Sequence, residues 1–191
     1  MSKLSHSVTF LLPHMEAAAL VEARSTHWSA IPPGTGTGTD DLFLYASSRN
    51  NHMEYALREL VRAFPFGGLS YLRSWDEVIN SPPWLAALHG VGLSSAIDGL
   101  RAMLDTLREQ PAKCSVLIHQ GADPAFELDV KDALAVPEPQ AFKAALELYR
   151  ENRQRNEGDD AGSLVSFLRA HMQLLQEAQN RGHAAIYGLW I

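Results

Sequence analysis

The polar segment 47–54 holds the densest cluster of residues suited to chemistry in this sequence. Arg49 could bind an anion through two parallel hydrogen bonds. Free backbone amides at the start of a helix would add a partial positive charge beside it. His52 and Glu54 could move protons at neutral pH. This set would suit an enzyme that acts on a small anionic substrate.

Asn50 and Asn51 complete the candidate binding residues of this segment. Their side chains also accept hydrogen bonds from the first amides of a helix, so either residue is a suitable N-cap. A well-capped turn with a solvated arginine and a surface histidine therefore explains the same residues without any catalysis. The pattern alone leaves both interpretations open.

The tripeptide His-Met-Glu occurs twice, at residues 14–16 and 52–54, each time after an apolar run. Two strand–helix units lying side by side could bring His14, Glu16, His52 and Glu54 to one sheet edge, which is enough for a shared catalytic or metal site. Chance repetition and the preference of glutamate for a helix start explain the repeat equally well. We therefore predict no metal site and no cofactor.

Two tryptophans, Trp75 and Trp84, lie in a segment punctuated by proline. Exposed tryptophans are frequent anchors of protein interfaces, so this segment is a candidate recognition surface. Buried tryptophans would instead fill the core, because each indole removes a large apolar area from water.

The charge balance limits the classes of partner. The 191 residues include 22 acidic and 16 basic side chains, which gives a net charge of −6. A general nucleic-acid binder needs a basic face to displace counterions, so we expect no nucleic-acid partner. A basic protein partner is favoured mildly, although negative charge also serves solubility.

The single cysteine, Cys114, excludes an internal disulfide and a zinc site built from cysteines. It lies in an apolar run and is predicted to be a small buried residue rather than a reactive thiol. The first twenty residues are too short and too polar for a signal peptide or a membrane span. We expect a cytoplasmic protein without a membrane contact.

Short apolar runs predict the strands of a sheet. Residues 42–46 form an unbroken run, which indicates burial on both faces. The other predicted strands lie at 8–12, 114–119, 126–130 and 184–191. Residues 126–130 alternate between apolar and charged side chains, so we expect them to pair with 114–119 in a hairpin near an edge.

Apolar residues at three- and four-residue spacing predict the helices. One helix follows Pro13, one covers 53–64, one covers 93–107 and ends before Pro111, and one covers 164–175 and stops near Gly182. Start signals at Ser74, Ser81 and Pro137 predict three more. These elements predict a single α/β domain over residues 1–191. Its mixed, mostly buried sheet would have about 4–6 strands, with helices packed on its faces.

Two functions fit this outline. The first is a small acidic binding module that neutralises or chaperones a basic partner protein, such as a toxin, with Trp75 and Trp84 as anchors. The second is an enzyme at the segment 47–54, served by His52 and Glu54 and, from the neighbouring unit, by His14 and Glu16. The sequence does not set the oligomeric state.

Overall fold

A computed structural model of the chain describes residues 4–23, 43–49, 52–72, 84–137 and 161–190. Its sheet has the strand order β2-β1-β4-β3, and every pairing in it is antiparallel. The strands are β1 (Leu4–Leu12), β2 (Phe43–Arg49), β3 (Trp84–Leu88) and β4 (Ala184–Trp190). Since β1 and β4 occupy the centre, the strands nearest the two ends of the numbering lie side by side.

Helices make up most of the described chain, and six are present there. They are α1 (His14–Ala23), α2 (His52–Ala63), α3 (Gly90–Glu109), α4 (Pro111–His119), α5 (Pro124–Ala135) and α6 (Ala161–Arg181). Helix α6 packs against α3, α5 and the sheet. It is therefore the central element of the helical layer.

The two faces of the sheet bury different partners. On β1, Thr9 and Leu11 point to the large helical core, whereas Phe10 and Leu12 point to α1. This alternation follows from the two-residue period of a strand. Each fully buried Leu or Phe contributes about 1.5–3 kcal/mol relative to exposure. Within the described residues, the sheet is therefore covered by α1 on one side and by several helices on the other.

Close backbone contact joins the turn after α2 to helix α3. A Cβ atom built on Gly99 would lie 2.1 Å from the carbonyl oxygen of Gly67, and one on Gly68 would lie 2.3 Å from the backbone of Ser95. Gly68 also has a φ of +74°, a conformation that favours glycine. These two glycines let residues 67–72 dock on α3, which places Leu69 and Tyr71 in the core.

The prediction of a chain that combines helices and strands is confirmed, but the predicted mixed, mostly buried sheet of about 4–6 strands is not supported, because the pairings are all antiparallel and helices make up most of the described residues. Residues 114–119 and 126–130 are helical and belong to α4 and α5, so the predicted hairpin is wrong. Residues 84–88, predicted to be helical after Ser81, form β3 instead. The observed sheet is small and wholly antiparallel.

Several local predictions are confirmed. The strands near 8–12, 42–46 and 184–191 are present, and α2 follows β2 as expected. Helix α6 ends at Arg181, and Gly182 takes a positive φ of 62° directly after it. The predicted helices at Ser74 and Pro137 extend into residues 73–83 and 138–160, which lie outside the described residues. Among the described helices, not one combines the length and the apolar character that crossing a membrane requires.

Candidate functional site

A buried polar network connects the sheet to helix α6. The imidazole of His171 lies between two hydroxyls, with Nδ1 3.0 Å from Oγ1 of Thr9 and Nε2 2.7 Å from the phenol oxygen of Tyr71. The rings of Phe167 and Tyr71 stack on the imidazole, and Tyr187 meets it edge-on. His171 is fully buried. Both ring nitrogens therefore have partners inside the core.

Burial determines the charge state of this network. Desolvation lowers the pKa of His171 from 6.5 to about 3, because a charged imidazole cannot be hydrated there. The same desolvation raises the pKa of the Tyr71 phenol, and the neighbouring Tyr187 raises it further. At neutral pH the His171 imidazole and the hydroxyls of Thr9 and Tyr71 are all uncharged. In either tautomer of His171, one hydroxyl donates to the bare nitrogen and the other accepts from the N–H.

The network was not predicted as a site, although residue 171 lies within the helix predicted over 164–175. The helical spacing contained the missing signal. His171 follows Leu164 and Leu168 by seven and three residues and precedes Leu175 by four, so it lies on the buried stripe of α6. A buried imidazole needs hydrogen-bonding partners. Thr9 and Tyr71 carry no periodic signal that marks them as those partners.

The predicted site at 47–54 lies at the junction of β2 and α2. Strand β2 ends at Arg49 and helix α2 begins at His52, so the predicted strand and the predicted helix are both present on either side of residues 50 and 51. Asn50 and Asn51 lie outside the described residues, and the structure describes only the backbone at His52 and Glu54. The proposed anion-binding and proton-transfer roles of this segment remain predictions.

The two His-Met-Glu segments do not meet. Strands β1 and β2 are antiparallel, with Leu4 opposite Arg49 and Phe10 opposite Phe43. Residues that follow β1 and residues that follow β2 therefore emerge at opposite ends of the sheet. A nine-residue strand such as β1 separates its ends by roughly 25 Å. A site shared by the two segments would require β1 and β2 to be parallel. Because these strands are antiparallel, the predicted composite site is not formed.

His14 and Glu16 lie in the first turn of α1, and both are exposed. The partner of His14 is His89, the residue before α3, with ring centroids 5.7 Å apart. Of the two predicted tryptophan anchors, the structure describes the backbone of Trp84 and not Trp75. Trp84 opens β3, whereas Trp75 lies outside the described part of the chain.

Cys114 is buried in α4, as predicted. Burial raises the pKa of its thiol to about 11, although the nearby Lys113 acts in the opposite direction. A thiol with a raised pKa is protonated at neutral pH and is a poor nucleophile. Cys114 therefore serves packing rather than catalysis.

Helix α5 exposes a surface that combines apolar and acidic side chains. Leu128 is 58% exposed, and Val136, the C-cap residue directly after the helix, is 46% exposed. Asp129 and Asp132 are exposed between them and form no ion pair with any residue that the structure describes. We call Ala125, Leu128, Asp129, Asp132 and Val136 the α5 face. The opposite side of the helix buries Phe126, Val130 and Leu134 in the core.

The first turn of α5 is fixed by side-chain hydrogen bonds. The carboxylate of Asp123 accepts from the backbone amides of Ala125 and Phe126, which makes Asp123 the N-cap. The hydroxyl of Ser115 on α4 accepts from the backbone amide of Asp123 at 2.8 Å. The start of α5 is thereby tied to the preceding helix.

The last turn of α5 is fixed by a buried arginine of α6. The guanidinium of Arg169 donates to the carbonyl oxygens of Ala133 at 2.6 Å and Val136 at 3.1 Å. Arg169 is only 4% exposed. The last carbonyls of a helix carry partial negative charge, so the cation and the helix end complement each other. The α5 face is consequently presented by a helix held at both ends.

Replacing this arginine tests how firmly the helix end is held. Arg169→Ala is expected to lower the free energy of unfolding by about 2 kcal/mol, because it leaves the Ala133 and Val136 carbonyls, which are partly buried, without this charged donor. Urea denaturation measures this loss. Arg181→Ala on the same helix is the control, since it removes only the exposed ion pair with Glu177 and should cost about 0.5 kcal/mol or less. Equal losses in both variants would contradict the capping role.

Comparison with known proteins supplies no functional precedent. No family model matches the chain, and no curated protein or solved structure is significantly similar to it. Any functional inference therefore depends on the chemistry of the described residues.

Proposed function

We propose that this protein is a binding module for a basic partner protein, and that the α5 face receives that partner. The observation that carries the proposal is the pair of large exposed apolar side chains, Leu128 and Val136, beside the carboxylates Asp129 and Asp132. Apolar side chains supply the area buried on binding, and carboxylates steer a basic partner towards them.

Charge supports the same choice of partner. The whole chain carries a net charge of −6. On the α5 face both charged residues are acidic, and Lys131, the exposed cation of this helix, lies at the margin of the face. A partner segment rich in Lys or Arg would gain attraction at Asp129 and Asp132 without meeting a positive charge at the centre of the face.

Rigidity adds to the argument. Asp123 and Arg169 fix the two ends of α5, so little conformational entropy is lost when its outer side is covered. Preorganised surfaces bind more tightly for this reason. A helix presented in this way suits a module whose task is recognition, such as neutralising or chaperoning another protein.

Capture experiments with matched charge variants test the proposal. Wild-type protein, D129K/D132K, Leu128→Ala and the control E22K/E109K are immobilised and exposed to a lysate of the native host. Bound proteins are identified by mass spectrometry. The control has the same change of charge at two exposed carboxylates on α1 and α3. We expect a basic protein that binds the wild type and the control but is lost with D129K/D132K.

The captured protein is then purified and titrated by calorimetry. Leu128→Ala is expected to weaken its affinity about tenfold, as truncation of an interface anchor does. Binding to the wild type should weaken as salt is raised, because exposed charges are screened. An acidic partner, or equal affinity for wild type and D129K/D132K, would exclude the α5 face as the binding surface.

The competing prediction, an enzyme acting on a small anion at 47–54, depends on different residues. Its anion contact depends on Arg49 and not on the α5 face. Arg49→Ala should therefore leave capture of a basic partner unchanged. Loss of the partner with this variant but not with D129K/D132K would move the interface to the β2–α2 junction.

A further inference from the structure

Three histidines from separate parts of the sequence lie at one end of the sheet. His14 follows β1, His89 follows β3, and His183 precedes β4. The register places Leu12 opposite Ala184 and Leu88 opposite Ala185, so the three histidines emerge at the same end. This convergence is independent of the α5 face and of the predicted site at 47–54.

Two of these histidines are in direct contact. The rings of His14 and His89 have their centroids 5.7 Å apart with an interplanar angle of 87°. Two imidazoles that share one tetrahedral Zn²⁺, with metal–nitrogen distances of about 2.1 Å, place their centroids roughly 5.3 Å apart. The observed separation exceeds that value by only a few tenths of an ångström.

Both rings are available to a ligand. His14 and His89 are exposed, and each is attached to a helix start that adjoins a paired strand. The side chain of His89 forms no capping hydrogen bond to α3. Because paired strands anchor the backbone at both positions, the two imidazoles need little more than side-chain rotation to share an ion.

We propose that His14 and His89 form a binding site for a divalent transition-metal ion, Zn²⁺ in the first instance. Imidazole nitrogen is a preferred ligand of Zn²⁺, Cu²⁺ and Ni²⁺, whereas Mg²⁺ and Ca²⁺ prefer oxygen. The described residues contain no group of three or more side chains positioned for a metal. The site therefore has two protein ligands, and its remaining positions are open to water or to a small donor molecule.

Two electrostatic effects oppose each other at this site. The starts of α1 and α3 carry partial positive charge, which weakens the affinity for a cation. Glu16, in the first turn of α1, places a negative charge at the same helix start. Coordination by nitrogen is the larger contribution, because it is a direct bond at close range. We therefore expect moderate affinity rather than the tight binding of a closed four-ligand site.

Titration with Zn²⁺ alone tests the site. Calorimetry on the purified protein is expected to show one saturable site per chain. His14→Ala and His89→Ala should each weaken Zn²⁺ binding at least tenfold, and because both positions are exposed we expect both variants to fold. In nuclear magnetic resonance spectra, Zn²⁺ should shift the imidazole signals of His14 and His89 and leave that of the buried His171 unchanged.

His183→Ala is the matched control. This histidine lies at the same end of the sheet, but its Nδ1–H donates to the carbonyl oxygen of Arg181 at 3.0 Å and it has no recorded ring contact with the pair. The variant should bind Zn²⁺ within twofold of the wild type. Unaltered affinity in both His14→Ala and His89→Ala, loss of binding with His183→Ala alone, or no saturable binding to the wild type would each overturn the proposal.

Discussion

Acid should unfold this protein more readily than its surface charges alone would dictate, because His171 must stay neutral in the core. The pKa of His171 is about 3 in the folded state and 6.5 ordinarily, so between these values the unfolded chain binds the extra proton. The stabilising effect is therefore complete above pH 6.5 and is lost as the pH falls towards 3. The slope is about 1.4 kcal/mol per pH unit. The whole interval corresponds to an upper bound of roughly 5 kcal/mol.

Urea denaturation over a series of pH values measures this effect. His171→Gln keeps a hydrogen-bonding side chain but cannot titrate, so its free energy of unfolding should decline less steeply below pH 6.5 than that of the wild type. His119→Gln is the control, because His119 is an exposed histidine on α4. Its curve should run parallel to the wild-type curve.

A second measurement covers the case in which His171→Gln fails to fold. In the wild type, the imidazole signals of His171 should remain those of the neutral ring as the pH is lowered through 6.5 while the protein stays folded. Parallel unfolding curves for wild type and His171→Gln, or titration of His171 in the folded protein near pH 6.5, would show that the network does not govern acid stability.

Gly99→Ala is expected to destabilise the fold by about 3 kcal/mol, although alanine is ordinarily the better helix residue. The new methyl group would lie 2.1 Å from the carbonyl oxygen of Gly67 and 2.8 Å from Leu69. Backbone cannot move aside as a flexible side chain can. The turn 67–72 would have to separate from α3, and Tyr71 would move away from His171 with it.

Gly92→Ala is the matched control in the same helix. Nothing lies within 4 Å of a Cβ atom at this position, so the variant should gain about 0.5–1 kcal/mol from reduced freedom of the unfolded chain. Thermal and urea denaturation of the two variants should therefore shift in opposite directions. A stabilised Gly99→Ala variant would contradict the close packing of the turn against α3.

The sequence was informative where a local pattern matched the burial of the segment. Strands β1, β2 and β4 contain apolar runs in the sequence, and α2, α3 and α6 repeat apolar residues at helical spacing, so all six elements could be predicted. The relative direction of paired strands could not be predicted from these local patterns. The sequence patterns predict a mixed sheet with two strand–helix units side by side, whereas every pairing between the described strands is antiparallel.

The strand predictions at 114–119 and 126–130 failed because the apolar residues there do not coincide with the buried ones. In residues 126–130 the apolar side chains at 126, 128 and 130 alternate, yet Leu128 is exposed and the buried set is Phe126, Val130 and Leu134. Spacing of four residues and the Asp123-Pro124 start signal favoured a helix. In α4 only Cys114 and Ser115 are buried, so its apolar run did not report the orientation of its side chains.

For the predicted site residues, the sequence did not show which distant segments come into contact. His14 was identified as a candidate, but its neighbour is His89 rather than His52, because contact between distant segments depends on strand order and direction. The exposed apolar residues of α5 could not be recognised until α5 was known to be a helix. Residue types thus indicated in part which side chains could do chemistry, but they did not show which of those side chains lie close together.

The position of β4 between β1 and β3 has a consequence for synthesis on the ribosome. Among the described strands, β3 pairs with β4 alone, and Thr9 meets His171 across 162 positions of sequence. A nascent chain that has not yet emerged as far as α6 and β4 therefore leaves β3 and one edge of β1 without the strand that they pair with in the folded protein. Such long-range pairing slows folding, so we expect these unpaired strand edges and the apolar sides of the earlier helices to favour aggregation until β4 is added.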